Sequence, residues 1–280
     1  MQKIAILTDS ASDLTKELME QYNIKFAPFR IIYSDKEYED KIDITPNEMY
    51  ASLKREIPTT SLPSIEGIEK ILCSLEEEGY THVISINISS ALSGTSNSVR
   101  LVLEDHPKLT SYVYDTKTLC MAEGAIVIEA AKLVKEGKSF EEIIEALPSF
   151  REKSHCYFTL NTLEYLKKGG RIGKVAGTIG ELLNLKPIIH VGDDGIYHTY
   201  AKLRGRKQSI NKLFEVLTEY LAKGKCNLWV IEGDSLESGT ELYNSIKSLN
   251  NVNEVNIATV GPALGVHTGP GLIGLIIQEV

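Results

Sequence analysis

His267 stands in the segment GPALGVHTGPG (261–271), among Gly265, Gly269 and Gly271. Imidazole is the side chain that changes charge near neutral pH and serves as proton carrier or anion contact. Glycines let backbone approach a ligand closely or take positive φ. A histidine in such a turn, with no helix or strand face to pack on, is a site candidate. A second group of chemistry-bearing residues lies in VISINISSALSGTSNS (83–98), where Ser89, Ser90, Ser93, Thr95, Ser96 and Ser98 surround Gly94. This reads as a strand that ends in a hydroxyl-rich turn and opens a helix, where free N–H groups and the helix dipole favour an anion. The same residues are also ordinary turn formers and an N-cap. A third group is PTTSLPS (58–64), in which two prolines hold three hydroxyls extended, as a ligand clamp or a plain loop.

The elements that must position these groups follow from periodicity. Residues 3–7 read as a buried strand entering the polar turn 8–13, with a short helix over 14–22 and a strand over 24–33. Thr45-Pro46-Asn47-Glu48 is a capping box with proline at the first helical position, and that helix ends before Pro58. Ser64 caps a helix over 65–78, with Ile68, Ile71, Leu72 and Leu75 on one face. A strand over 111–114, a helix over 122–135 and a second capping box at 139–142, whose helix runs toward Pro148, complete an alternating pattern. That alternation predicts a parallel sheet covered by helices.

The pattern then changes. A strand over 155–160 is followed by a short helix closed by Gly169-Gly170, a helix over 179–185, and a hairpin over 188–201 turning at Asp193-Asp194-Gly195. A helix over 209–222, then strand, helix and strand over 227–260, lead to the glycine-rich segment and a last apolar run over 272–277. The expected organisation is α/β with two domains. Residues 1–155 would hold a parallel-sheet α/β/α unit and residues 156–280 a mixed sheet with helices mainly on one face, with the ligand at the interface.

Composition narrows the function. The chain has 280 residues, 42% hydrophobic and 24% charged, which is globular. A net charge of -8 argues against nucleic-acid binding. No apolar run approaches the roughly 18 residues of a membrane span, and the N-terminal run is too short for a signal peptide. Cys73, Cys120, Cys156 and Cys226 have no zinc-type spacing and read as reduced thiols of a cytoplasmic protein. No GxxxxGK[ST] segment is present; in Gly137-Lys138-Ser139 the first glycine is replaced by Lys132. No metal or cofactor is expected.

Six segments in order, TDSASDL, PTTSLPS, ISSALSGTSNS, TLEYLKKGGRIG, LKPII and GPALGVHTGPG, resemble the DegV family, bacterial fatty-acid-binding proteins also called FakB. The resemblance spans residues 8–271 and implies two α/β domains with a long-chain fatty acid, such as palmitate, in a tunnel. It implies carboxylate contacts from Ser93, His267 and either Thr60 or Ser61, with Ser10, Gly94, Thr95, Asp115, Gly265 and Thr268 nearby. It implies no catalysis by this chain: a separate fatty acid kinase subunit would bring ATP and phosphorylate the bound acid. Thr116 departs from the serine often found after the aspartate, which leaves the role of Asp115-Thr116 open. Lys167, Lys168, Arg171 and Lys174, with Lys202, Arg204, Arg206 and Lys207, form basic clusters on an acidic chain. Arg171, Arg204 and Arg206 are the expected kinase-docking residues. The clusters also suit steering of an anionic ligand, transient membrane contact, or plain solvation.

A chain of roughly 14 methylenes at ~0.8 kcal/mol each supplies on the order of 11 kcal/mol of gross driving force. Hydrogen bonds to the carboxylate add ~1.5–3 kcal/mol each. The tail would therefore set affinity and the polar groups orientation. The alternative is a serine-dependent lipid hydrolase using Ser93 and His267, although ALSGT is not a GxSxG elbow.

Overall fold

The apolar segment IAILTD forms β1 (Ile4–Asp9), buried at every position because parallel neighbours flank it on both sides. The computed structural model describes residues 2–178 and 185–280. From β1 the chain passes through one 3-10 turn into α1 (Lys16–Tyr22), then β2 (Ile24–Ala27), β3 (Arg30–Ile32), β4 (Glu37–Glu39), α2 (Pro46–Ser52) and β5 (Thr59–Ser61). It continues with α3 (Ile65–Glu77), β6 (His82–Asn87), α4 (Thr95–Leu103), β7 (Thr110–Asp115), α5 (Met121–Lys135) and α6 (Phe140–Glu152). The sheet is parallel, as the alternating pattern predicts, with the order β2-β1-β6-β7. The ends of β1 and β6 that point toward the hydroxyl-rich turns are tied by Asp9, whose carboxylate accepts from Ile88 N at 3.1 Å and from Ala11 N at 3.0 Å.

Two sequence expectations need correction here. The single strand over 24–33 is two strands in different sheets. Pro28 removes a backbone donor between them, and β3 joins a small antiparallel sheet of order β4-β3-β5. The helix expected to stop near Pro148 runs on to Glu152. Pro148 is exposed, so water can satisfy the carbonyl it leaves unpaired, while buried Phe140, Ile143 and Leu147 hold α6 on the core. The capping boxes at Thr45–Glu48 and Ser139–Glu142 form as read, and Ser64 Oγ accepts from Gly67 N at 2.9 Å.

The second sheet begins with β8 (Ser154–Thr159). After α7 (Glu164–Lys168) come the hairpin strands β9 (Ile188–Val191) and β10 (Tyr197–Ala201). Then follow α8 (Arg206–Leu221), β11 (Cys226–Gly233), α9 (Leu236–Ile246), β12 (Val252–Thr259), α10 (Pro262–Thr268) and β13 (Leu272–Glu279). The order is β10-β9-β8-β13-β11-β12, mixed because β11 and β12 run parallel and the other pairs antiparallel. Leu213, Leu217 and Leu242 of α8 and α9 pack on one face with Leu228 and Leu275. The other face, through Cys156, Phe158, Ile231 and Ile276, shares a core with α5 and the first sheet. The helix expected over 179–185 falls on residues outside the described ones, except Leu185, which forms an isolated antiparallel bridge with Arg204. Among the described residues no helix is long and apolar enough to cross a membrane. Cys73 is exposed, and Cys120, Cys156 and Cys226 are buried, all as free thiols.

Candidate functional site

The extended segment between the two prolines pairs as β5 with β3, which sets Thr60 opposite Ile31. Successive strand residues face opposite sides, so Thr60 and Ser61 diverge. Arg30 engages the Ser61 side: its Nη2 donates to Ser61 Oγ at 2.9 Å and its Nε to the Leu62 carbonyl at 3.2 Å. Thr60 Oγ1 instead lies 2.7 Å from His267 Nε2. Of the two hydroxyls that the sequence left as alternatives, Thr60 is the one at the imidazole.

His267 lies on a helix, not on the open glycine turn read from the sequence. Pro262 begins α10 with its φ already helical, and Ala263, Leu264 and Val266 are buried. Gly265 lets α10 lie against α2, since a Cβ there would stand 2.3 Å from Met49 Cε. Gly269 ends the helix at φ +68°, where a side chain would also meet the Tyr165 ring. The opposite side of the imidazole is covered by Gly169. A Cβ at Gly169 would stand 2.0 Å from His267 Nδ1. The sequence reading treated this glycine as a helix terminator; its φ is -76°, so close approach, not backbone conformation, is what requires glycine here.

The hydroxyl-rich turn contributes Ser93. Its Oγ is 2.8 Å from Thr95 Oγ1, both residues are buried, and Gly94 heads α4. Thr60, Ser61, Ser93, Arg171 and His267 line a cavity of about 180 Å³ together with Phe29, Leu92, Leu119 and Leu264. A further apolar cavity of about 20 Å³ shares Leu119, Tyr197 and Leu264 with it and is also lined by Phe158, Ile231 and Leu272. The larger cavity therefore presents hydroxyls, imidazole and guanidinium, and the smaller one beside it apolar surface, Cys thiols and Thr268.

Burial, and then the nearby Arg171 guanidinium, push the His267 pKa down to about 4. The imidazole is neutral at neutral pH, and its buried Nδ1 has no hydrogen-bond partner among the described residues. Arg171 Nη1 donates to the Gly169 carbonyl at 2.6 Å and Nε to the Leu92 carbonyl at 3.4 Å. This places Arg171, which the sequence suggests as a docking residue, in the cavity wall. Arg206 is part-buried and donates to the Gly271 carbonyl, so it braces the end of the α10 loop; Arg204 and Lys207 are exposed. Lys168 pairs with Glu164 at 2.7 Å and Lys174 with Asp194 at 2.8 Å.

The remaining expected neighbours divide. Thr268 lines the apolar cavity, and its Oγ1 donates to the Leu264 carbonyl. Ser10 is buried beside the site, where its Oγ accepts from Phe29 N at 3.0 Å. Asp115 does not reach the cavity. It binds Ser90 N at 3.0 Å and Lys117 N at 3.0 Å and borders a separate groove. Thr116 is buried and donates to the Asn87 carbonyl, a loop-fixing role. One structural group escaped sequence reading: Asp13, whose Oδ1 accepts from Lys41 Nζ at 2.7 Å and Gly261 N at 3.0 Å. This pair ties the start of α10 to the 3-10 turn that follows β1.

The sequence matches, over residues 3–280, the family described as "Uncharacterised protein, DegV family". The chain belongs to the DegV family. It is similar to a DegV domain-containing protein of Clostridium perfringens (strain 13 / Type A), 52% identical over 279 residues that span 100% of this chain and 99% of that one. The crystal structure of DegV from Bacillus subtilis, described as a fatty acid binding protein, matches with a TM-score of 0.93 at 29% identity over 100% of both chains. A DegV-fold structure described as a stearic acid-binding protein from Eubacterium ventriosum matches with a TM-score of 0.90 at 32% identity, over 100% of this chain and 98% of that one. The DegV fold thus covers the whole chain, and these solved relatives are fatty-acid-binding proteins.

Proposed function

We propose that this chain binds a long-chain fatty acid, its carboxylate at Thr60, Ser93, Arg171 and His267 and its tail along Leu119, Tyr197 and Leu264. The observation that carries this reading is the adjacency of the polar cavity to an apolar one, the two sharing those three side chains in their walls. A carboxylate leaving water needs donors, and two hydroxyls beside a guanidinium supply them. The tail supplies most of the driving force, since each buried methylene contributes about 0.8 kcal/mol. The fatty-acid-binding descriptions of the solved relatives support the same reading.

The chain acts as carrier in the cytoplasm and presents the carboxylate to a separate kinase, which supplies ATP and forms the acyl-phosphate. Exposed Arg204 and Lys207 supply docking charge. We divide the chain near residue 155, with the ligand between the two units. The hydrolase alternative is disfavoured by the bonding of its two residues: Ser93 Oγ pairs with Thr95 and His267 Nε2 with Thr60. A nucleophile needs its base within hydrogen-bond reach.

The test is to load the purified chain with labelled palmitate or oleate and add candidate kinase subunits with ATP. Acyl-phosphate formed only when both proteins are present supports the carrier role. Ester hydrolysis by the chain alone, abolished by Ser93→Ala, contradicts it.

A further inference from the structure

Away from the cavity, α4 carries the fold from Gly94 to a second cluster of donor atoms roughly 13 Å of helix further on. Glu69 and Cys73 are four residues apart on α3 and so share a face. His106 lies in the turn after α4, 4% exposed, its backbone N–H bonded to the Leu103 carbonyl. Its Nε2 is 3.1 Å from Glu69 Oε2, and Cys73 Sγ is 3.6 Å from Glu69 Oε1. The Cys73 sulfur, a His106 ring nitrogen and a Glu69 oxygen lie within 4.8 Å of one another.

These are the ligand types that bind zinc: thiolate, imidazole and carboxylate. Tetrahedral zinc with bonds of about 2.3 Å to sulfur and 2.0–2.2 Å to nitrogen and oxygen needs neighbouring donors about 3.4–3.6 Å apart. The Cys73–Glu69 separation, to Oε1, meets that, and the His106–Glu69 separation, to Oε2, is a few tenths of an ångström shorter, so Glu69 spans the other two donors with its two oxygens. The other imidazole nitrogen, Nδ1, is 3.0 Å from Glu76 Oε1. A carboxylate on the second ring nitrogen is the arrangement that orients metal-bound histidines. Lys108 balances Glu76 from 3.5 Å. Cys73 is exposed, which gives an ion a way in and leaves a coordination position for water.

We propose that Glu69, Cys73 and His106 bind a thiophilic divalent cation, zinc by its ligand chemistry, with Glu76 as a positioning residue. Coordination takes the thiolate form of Cys73, so cation binding releases the thiol proton and affinity rises with pH. The bound cation cross-links α3 to the end of α4 and stabilises the folded chain by mass action.

The test treats the full reduced chain with chelator, removes it, and titrates with cobalt(II) and then zinc(II), followed by absorbance and calorimetry. One cobalt per chain with a thiolate charge-transfer band, displaced by one zinc, is expected. Cys73→Ser should abolish the band. His106→Gln should weaken zinc binding at least tenfold while leaving fatty acid occupancy unchanged. Should His106→Gln not fold, Glu69→Gln, on an exposed side chain, must give the same loss. Absence of a one-to-one complex overturns the proposal, as does wild-type affinity in both His106→Gln and Glu69→Gln, which would reduce Cys73 to a solitary surface thiol.

Discussion

Thr60 Oγ1 and His267 Nε2 stand 2.7 Å apart across 207 residues of sequence, one on β5 and the other on α10. That bond joins the small antiparallel sheet to the helix that precedes the last strand of the second sheet. With His267 neutral, the hydroxyl and imidazole form an orientable pair for a carboxylate, beside the fixed positive charge of Arg171.

Replacing His267 by Ala removes orientation more than affinity. A lost hydrogen bond to a charged group costs about 1.5–3 kcal/mol, against the on the order of 11 kcal/mol supplied by a buried tail. Fatty acid affinity should fall about 10–100-fold, and acyl-phosphate formation at full occupancy should fall further, because a misplaced carboxylate misses in-line attack. Loading by equilibrium dialysis and transfer with kinase and ATP give the two numbers separately. Unchanged transfer at full occupancy would remove His267 from the mechanism.

The depressed pKa of His267 makes a signed prediction for lipid-free protein. Above its unfolded value of 6.5 the folded and unfolded states both hold a neutral imidazole. Between 6.5 and about 4 the unfolded state binds the proton more readily, so stability falls as pH falls through that window. Wild type should lose on the order of 2–3 kcal/mol relative to His267→Gln between pH 7 and pH 4. Asp9 and Asp40, raised mainly by burial to about 6 and about 7, act in the opposite sense but are common to both proteins. Urea unfolding of both across that range decides it; a difference that does not change with pH would mean His267 is not depressed.

Much of this was legible in the sequence because local chemistry fixed it. Capping boxes, the Asp-Asp-Gly hairpin and the alternation of strands and helices depend on neighbours in the chain. The candidate residues Ser93 and His267, and the pair Thr60 and Ser61, stood out as hydroxyls and an imidazole in glycine- and proline-framed segments. What escaped was set by distant contacts. The helical state of α10 depends on packing against Met49 and Tyr50, which overrides the poor helix propensity of its glycines. The placement of Arg171 depends on carbonyls of Gly169 and Leu92, one of them 79 residues away. The break at Pro28 was visible, but not that the strands on either side enter different sheets.

Gly169 should tolerate no side chain. The Cβ of Gly169→Ala would overlap His267 Nδ1, so the ring or the α7 turn must move. Overpacking of this kind typically destabilises by about 1–3 kcal/mol. The expected result is a lowered urea midpoint and phosphoryl transfer reduced at least as far as in His267→Ala. Gly170→Ala separates this from backbone strain, since Gly170 has φ +71° but no atoms near its Cβ position.

The Asp13–Lys41 pair should be indispensable to the junction while its net contribution is small. Lys41→Met leaves Asp13 buried without its cation, beside the second buried carboxylate of Asp40. Breaking a buried pair costs about 3–5 kcal/mol, and replacing both partners costs less. Lys41→Met should therefore lower stability by about that amount, and the double variant Asp13→Asn, Lys41→Met by less than the sum of the singles. Additive losses in a double-mutant cycle would show that the two side chains do not act as a pair.

Native mass spectrometry of the purified chain reads directly whether a fatty acid binds, as proposed for the cavity at Thr60, Ser93 and His267. Delipidated protein mixed with oleate or palmitate should gain one acid per chain, and the mass shift should survive in Thr60→Val and His267→Ala at higher acid concentration. An intact chain that gains no fatty acid mass at any concentration below micelle formation, and releases none on solvent extraction before delipidation, would contradict that proposal.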